Sequence, residues 1–190
     1  RQKYLDIQSE VISAFNMPIK VSVLLRGILN SKEGTAQFHF DGRNTEVVFD
    51  DFKITFRLIE GRYPNYNGVI PTNSPNVAEV NRKSLLGVVK RVLPFSSNSN
   101  LVKVEFKPSE MKLNAEDFDF NMTASETLSC SYNGDTMNIG FKGVVFASML
   151  NVLDVDSIYI KMSDAARAAI VSPTVQPEDE DCILLIMPML

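Results

Sequence analysis

Hydrophobic and polar residues alternate along most of this chain, and three helical patterns interrupt the alternation. In one clear example, Val102, Val104 and Phe106 would face one side of a strand while the residues between them face the other. The helical patterns, in which apolar residues recur every three or four positions, cover residues 17–32, 81–93 and 140–153. Because each helix is followed by several strands, the order predicts an α+β protein built from a repeated unit of one helix and antiparallel strands.

The second helix has the clearest two-sided pattern. Lys83 and Lys90 fall on the face opposite its apolar stripe, which comprises Leu85, Val88, Val89 and Val92. The corresponding stripe of the first helix is Val21, Leu24, Leu25 and Ile28, and that of the third is Phe146, Met149, Leu150 and Leu153. These stripes predict one buried face on each helix.

Turn residues divide the rest of the chain into strands and into two domains. The predicted strands are 35–40, 45–49, 53–59, 101–106, 111–115, 118–124, 126–132, 157–162, 168–171 and 182–188. The polar segment Pro71–Asn76 contains two prolines and no periodicity, so we place the domain boundary there, with domains at 1–72 and 73–190. The first domain holds about half as many elements as the second, so it is interpreted as the latter half of a similar domain.

The charge of the chain is sorted by element. Nineteen basic and 23 acidic residues give a net charge of −4, which by itself argues against a nucleic-acid partner. However, the three helical segments contain no acidic residue and eight basic ones: Lys20, Arg26, Lys32, Arg82, Lys83, Lys90, Arg91 and Lys142. A solvated charged face is the ordinary explanation for any one such helix, but three together favour a shared basic surface.

Composition excludes several classes of protein. No apolar run approaches the roughly 20 residues of a membrane span, and no signal peptide is visible, so no membrane contact is expected. Cys130 and Cys182 show no metal-binding spacing and are interpreted as reduced core thiols rather than a metal site or disulfide, which favours a cytoplasmic location. The chain starts at Arg1 without Met, which favours a fragment of a longer protein.

Catalytic chemistry is not indicated, and neither a metal nor a cofactor is expected. His39 is the only histidine and sits in an alternating strand. The carboxylate pairs Asp50–Asp51 and Asp117–Asp119 lie in loop and strand contexts without partners. A noncatalytic β-rich interaction or surface module with no nucleic-acid partner is the other interpretation. It would explain the strands but not the basic helices.

Two segments combine proline with large apolar residues, which is typical of backbone that leaves a strand and stays partly exposed: Glu60–Pro71 and Ile183–Leu190. The run Leu58–Tyr66, the run Tyr132–Phe141 and the ending Met187-Pro188-Met189 occur in the order and spacing of bacterial DNA sliding clamps, the beta subunit of DNA polymerase III. The chain resembles this family over nearly all of its length.

The resemblance implies that residues 15–71 form the second half of a clamp middle domain and 77–190 the third domain, with sheets outside and helices inside a ring. It implies a processivity factor whose ring encircles double-stranded DNA without reading its sequence, and which is a homodimer at full length. Short peptides would tether the DNA polymerase III alpha subunit and the clamp loader. Leu93, Pro94 and the strand 101–106 map to the head-to-tail subunit contact.

Residue roles follow from the same resemblance. The peptide-binding groove would be lined by Tyr4, Pro64, Val69, Ile70, Val145, Ala166, Ala168, Leu185, Ile186, Met187, Pro188 and Met189. The DNA-facing residues would be Lys20, Arg26, Arg82, Lys83, Lys90, Arg91 and Lys142. Gly68 and Val145 depart from the basic residue and the Tyr that are common there, so peptide preference is expected to differ from that of better-known clamps. Without the resemblance, Met187 and Met189 would be interpreted as core residues.

Overall fold

A computed structural model describes residues 2–3, 14–31, 33–49, 52–176 and 178–189. The chain forms two compact units: a smaller one, Ile7–Asn65, and a larger one, Tyr66–Leu190, which also takes in the N-terminal Arg1–Asp6. In chain order the elements are β1 (Gln2–Lys3), α1 (Ile19–Leu29), β2 (Gln37–Phe40), β3 (Asn44–Phe49), β4 (Phe52–Arg57), β5 (Asn76–Asn81), α2 (Arg82–Val92), β6 (Leu101–Lys107), β7 (Glu110–Asp117), β8 (Met122–Ser129), β9 (Ser131–Tyr132), β10 (Met137–Lys142), α3 (Gly143–Val152), β11 (Ser157–Met162), β12 (Ala169–Pro173), β13 (Glu180–Asp181), β14 (Leu184–Ile186) and β15 (Pro188–Met189).

Two five-stranded antiparallel sheets make up most of the larger unit. Sheet I has the order β15-β10-β6-β7-β8, and sheet II has the order β14-β12-β11-β5-β9. Helix α2 carries the chain from β5 in sheet II to β6 in sheet I, and α3 carries it back from β10 in sheet I to β11 in sheet II. The larger unit is therefore a repeat of two helix-plus-strands halves, as the sequence pattern predicts.

The core of the larger unit is drawn from both sheets and both helices. Alternation along β6 buries Val102, Val104 and Phe106, as predicted. The predicted stripes of α2 and α3 are likewise buried, and the two helices pack against each other. Asn81 caps α2 by accepting a hydrogen bond from the Ser84 amide at 2.9 Å.

The smaller unit contains α1 and the three-stranded antiparallel sheet β2-β3-β4. Leu25 is buried as predicted, but Leu24 is half exposed, so the predicted stripe of α1 is only partly covered. In the β2–β3 turn, the Asp41 carboxylate accepts hydrogen bonds from the Asn44 side chain and from the amides of Arg43 and Asn44. These bonds lower the pKa of Asp41 to about 2.

The α+β class is confirmed, but several predicted elements are wrong. Strand β5 has no predicted counterpart, and the predicted strand 182–188 is two strands, β14 and β15, in different sheets. The segments 118–124 and 126–132 are not two strands; residues 118–121 form a turn, and β8 is one continuous strand after it. Asp117 fixes this turn by accepting hydrogen bonds from the amides of Asp119 and Phe120, so Phe118 and Phe120 imitate a strand pattern in sequence only. Helix α3 begins at Gly143 rather than near residue 140, because the preceding residues pair in β10 with β6.

No helix among the described residues is both long enough and apolar enough to cross a membrane.

Candidate functional site

The C-terminal segment 183–189, called the tail below, changes sheets within a single residue. Ile186 is the last residue of β14 and pairs with Ala169 at the edge of sheet II. Pro188 begins β15 and pairs with Phe141 at the edge of sheet I. Only Met187 separates the two pairings, so its backbone belongs to neither sheet.

Met187 is exposed because of this crossover. Its side chain is 66% exposed, which excludes the interpretation that it is a core residue. Ala168 directly precedes the partner of Ile186, and Lys142 directly follows the partner of Pro188, so strand ends from both sheets flank Met187. Helix α3 starts one residue after Lys142 and packs against β14, which brings its first turn and the half-exposed Val145 to the same end of the unit.

Gly140 lets the tail lie against β10. A Cβ atom added there would meet the Met189 carbonyl oxygen at 2.6 Å and the Leu101 side chain at 2.7 Å. The carbonyl is backbone held in β15, so it could not move aside without breaking the pairing of β15 with β10. The position of the tail thus depends on a residue with no side chain in the neighbouring strand.

Asp164 shapes the loop that precedes β12. Its carboxylate accepts hydrogen bonds from the amides of Ala166 at 2.8 Å and Arg167 at 2.9 Å, which is an Asx turn. The turn leaves Ala166 exposed, two residues before the buried Ala168. The sequence signal for this loop was the Asp followed by small residues, and sequence reasoning missed it.

Val69 is the last residue of a short 3-10 turn, Tyr66–Val69, in the larger unit, and Ile70 directly follows it. Val69 is well exposed and Ile70 is half-buried. The Gln2 side-chain amide is hydrogen-bonded to the Tyr66 hydroxyl, which ties strand β1 to this turn. Sequence reasoning also missed the contribution of Tyr66.

Strand β1 is tied to the chain just before the tail as well. It pairs with β13, and Lys3 Nζ lies 3.4 Å from a Glu180 carboxylate oxygen. Through β1, the turn that carries Val69 and the segment that leads into the tail are joined.

The predicted groove residues separate into four groups, one of which is the pair Val69 and Ile70 described above. Val145, Ala166, Leu185, Met187, Pro188 and Met189 are exposed or half-buried around the crossover of the tail. Ile186 and Ala168 are buried, at 3% and 8% exposure, so the prediction that they line the groove is wrong. They support this surface from beneath. Tyr4 lies outside the described residues, and Pro64 is an exposed residue of the smaller unit.

The predicted DNA-facing residues are not equivalent. Lys20 and Arg26 are exposed on α1 in the smaller unit, and Lys83 and Lys90 are exposed on one face of α2 in the larger unit. The Lys83 ammonium lies 3.6 Å from Asp156, with both side chains largely exposed, so the pair is a weak one. Arg91 is exposed but is held by Glu126.

One of these assignments is wrong, and a second residue lies on a strand rather than on a helix. Arg82 is buried at 8% exposure, and its guanidinium donates a hydrogen bond to the Val155 carbonyl at 3.0 Å, so it fixes the start of α2 and does not present charge to a phosphate. Lys142 is exposed, but it is the last residue of β10, so α3 itself carries no charged side chain. The exposed face of α3 is formed by Val144, Val145, Ser148, Asn151 and Val152.

Leu93 and Pro94 lie in a 3-10 turn after α2, where Pro94 is exposed and Leu93 is half-buried. The strand predicted to share the subunit contact, β6, is paired on both sides by β10 and β7, so it has no free edge. Within the part of the chain that the structure describes, the edge strands of sheet I are the two-residue β15 and the longer β8, whose residues Thr123, Ser125 and Thr127 are uncharged and exposed. An unprotected edge of this kind suits pairing with another strand.

The remaining chemistry-bearing residues are scattered. Asp50 and Asp51 fall outside the described residues, and within the described ranges no three His, Cys, Asp or Glu side chains cluster as metal ligands would. Cys182 is buried and Cys130 is half-buried, neither in a disulfide, and burial raises the pKa of the Cys130 thiol.

Known proteins resemble this chain over nearly its whole length. A family model described as DNA polymerase III beta subunit, C-terminal domain, matches residues 67–190. The beta sliding clamp of Haemophilus influenzae is 26% identical over 174 residues, which cover 91% of this chain and 46% of that protein. The beta sliding clamp of Treponema pallidum is 24% identical, covering 100% of this chain and 52% of that protein.

Solved structures of DNA polymerase III beta subunits have the same fold as this chain. The DNA polymerase III subunit beta of Borrelia burgdorferi, in complex with a natural product, has a TM-score of 0.84 and 25% identity, covering 97% of this chain and 49% of that one. The Pseudomonas aeruginosa sliding clamp bound to griselimycin has a TM-score of 0.87 at 21% identity, covering 98% of this chain and 50% of that one, and this similarity supports the fold. The chain spans about half the length of the curated relatives it matches.

The crossover of the tail predicts stability effects of very different size for substitutions at two neighbouring residues. Met187→Ala should change the free energy of unfolding by no more than about 0.5 kcal/mol, because the side chain already faces water. Ile186→Ala should cost about 2–5 kcal/mol, because it leaves a cavity in the core. Urea denaturation of the two variants measures both values, and equal changes would contradict the placement of Met187 outside the core.

Proposed function

The chain belongs to the family of the DNA polymerase III beta subunit, and we propose that it is part of a DNA sliding clamp. The clamp would tether polymerase partners through a peptide groove beside the tail. The observation that carries the proposal is Met187, an exposed apolar residue between two sheet edges. In this role the chain is noncatalytic and acts as a processivity factor in the cytoplasm. Its partners are double-stranded DNA, short peptides of the DNA polymerase III alpha subunit and the clamp loader, and a second copy of the full-length protein.

The groove is proposed to have two walls. One wall is the tail, where Leu185, Met187 and Met189 offer apolar and conformationally adaptable side chains. The other is the linker of the larger unit, with Val69 and Ile70. Val145 and Ala166 complete the lining. A shallow apolar site with flexible methionines suits several related peptides rather than one.

The DNA surface is proposed to come from exposed lysines on helices without acids. Lys83 and Lys90 are seven residues apart on α2 and so share one face. With Lys20, Arg26 and Lys142 they would touch phosphates weakly, and a closed ring needs only weak contacts because topology retains the DNA. A tethered polymerase then meets primer at a high effective concentration, which is the physical basis of processivity.

The ring contact is proposed to use the turn at Leu93 and Pro94 together with the free edge of β8. Head-to-tail pairing with the first domain of the next full-length subunit would cover that edge and satisfy its unpaired backbone groups.

Peptide binding tests the groove. A short peptide with Gln followed by Leu and ending in Leu or Phe should bind the chain, and deletion of Met187–Leu190 should weaken binding at least about tenfold, since truncating an apolar anchor typically costs about 1–2 kcal/mol or more. This deletion also removes β15, whereas Met187→Ala removes only one side chain and leaves β15 in place. Met187→Ala should also weaken peptide binding. Fluorescence polarisation measures both affinities.

The matched control is Val175→Ala. Val175 is equally apolar and even more exposed, but it lies beyond the opposite end of β12. Its truncation should leave peptide affinity unchanged. If the Met187 and Val175 variants bind as tightly as the unaltered chain, the groove is elsewhere and the proposal fails.

Salt dependence tests the DNA surface. The double variant Lys83→Gln, Lys90→Gln should reduce the slope of log affinity against log salt by about 0.9 for each phosphate that the chain no longer neutralises. Fluorescence anisotropy with a short duplex measures the slope at low ionic strength. Lys103→Gln is the control, because Lys103 lies on β6 and pairs with Glu116 at 3.2 Å. A slope that falls equally in both variants would contradict a DNA surface on α2.

A further inference from the structure

Arg91 and Glu126 form a fork that occupies both carboxylate oxygens. Arg91 Nε donates to Glu126 Oε1 and Arg91 Nη2 donates to Oε2, each at 2.7 Å. Paired parallel hydrogen bonds of this kind are the strongest geometry available to a guanidinium and a carboxylate. The fork joins α2 to the edge strand β8.

Neighbouring residues of β8 and α2 hold the two side chains of this fork in position. Glu126 lies in the row of β8 that faces α2, between Ala124 and Leu128, both of which pack against the core. The Arg91 guanidinium reaches back over Gly87, one turn earlier, where an added Cβ atom would lie 3.2 Å from Arg91 Nη1. A small residue on the helix and a carboxylate on the strand therefore define one position for the arginine.

Arg91 differs in this respect from the lysines of α2. Lys83 has only a 3.6 Å contact with the exposed Asp156, which a phosphate can replace at little cost. Lys90 is exposed and has no ion pair within the described residues. Arginine is the cation best suited to grip a phosphate with two hydrogen bonds, and two of the five N–H donors of Arg91, on Nε and Nη2, are already bound to Glu126.

We infer that Glu126 withholds Arg91 from DNA, so that α2 offers the duplex its lysines alone. This inference rests on the proposed function. A ring that must move along DNA is served by contacts that exchange readily, and a bidentate arginine on phosphate exchanges less readily than a lysine. The hydrogen bonds from Arg91 also lower the pKa of Glu126, so its carboxylate stays ionised further into the acidic range than that of an unpaired glutamate.

The test compares two variants that each remove one negative charge. Glu126→Gln frees Arg91, whereas Glu105→Gln acts on a pair with Lys107 in sheet I, and Lys107 keeps a second contact with Glu110. Affinity for a short duplex is measured by fluorescence anisotropy between about 50 and 200 mM salt. Glu126→Gln should bind more tightly, and its affinity should fall about threefold further than that of the unaltered chain over this range, which corresponds to one more neutralised phosphate. Glu105→Gln should match the unaltered chain in slope.

Two further variants identify the group responsible. Combining Arg91→Gln with Glu126→Gln should abolish the gain in affinity, and Arg91→Lys, which retains the charge but cannot form the fork, should reproduce part of it with Glu126 intact. Arg91→Lys also serves if Glu126→Gln melts at a much lower temperature than the unaltered chain.

The outcomes separate the inference from the proposed function. Equal slopes for Glu126→Gln and Glu105→Gln, with binding still dependent on Lys90, would overturn the inference and leave the DNA surface intact. A gain in affinity that survives removal of the Arg91 side chain would also overturn it. Failure of every variant to bind duplex at the lowest salt would overturn the DNA surface of α2, and the inference with it.

Discussion

The exchange of sheet partners at Met187 is the constraint on which the rest of the larger unit depends. β14 must pair with β12 in sheet II and β15 must pair with β10 in sheet I, with a single residue between them. Because an extended residue spans only about 3.3 Å, the edges of the two sheets must converge at this end of the unit. Helix α3 fits there because it leaves β10 just beside the crossover. An apolar side chain is held in water as a consequence, which is the property a peptide site needs.

A second constraint is the sorting of charge between elements. The three helices carry no acidic residue, and the carboxylates that touch α2 come from elsewhere, Asp156 from the loop after α3 and Glu126 from β8. Each acts on a different cation, so the basic character of α2 is weaker than its sequence indicates. A surface that attracts phosphate weakly suits the proposed ring, which would retain DNA by enclosing it.

Much of this fold could be predicted because its signals are local. The buried stripe of α2 and the alternation of β6 depend only on periodicity, and both are confirmed. Periodicity failed at Phe118 and Phe120, where an Asx turn presents two rings to solvent, and at β10, where apolar residues next to a helix look helical. A side-chain hydrogen bond fixes the turn at Phe118 and Phe120, and pairing with β6 makes β10 a strand.

The site was less predictable because its contacts are not local. The ending Met187-Pro188-Met189 indicated an exposed tail, but not that Ile186 beside it would be core. Arg82 and Arg91 look alike in sequence, yet one is buried on a carbonyl and the other is held by an edge strand. Partners so far away along the chain leave no local pattern.

The proposed groove requires that the tail presents Met187 to a bound peptide, and methyl NMR of the methionines measures this contact residue by residue. Titration with a polymerase-type peptide should shift the Met187 methyl signal strongly and that of the half-buried Met189 to a lesser degree. Met111 and Met162, which are fully buried, serve as internal references and should not move. An unchanged Met187 signal at a peptide concentration that saturates binding would contradict the account.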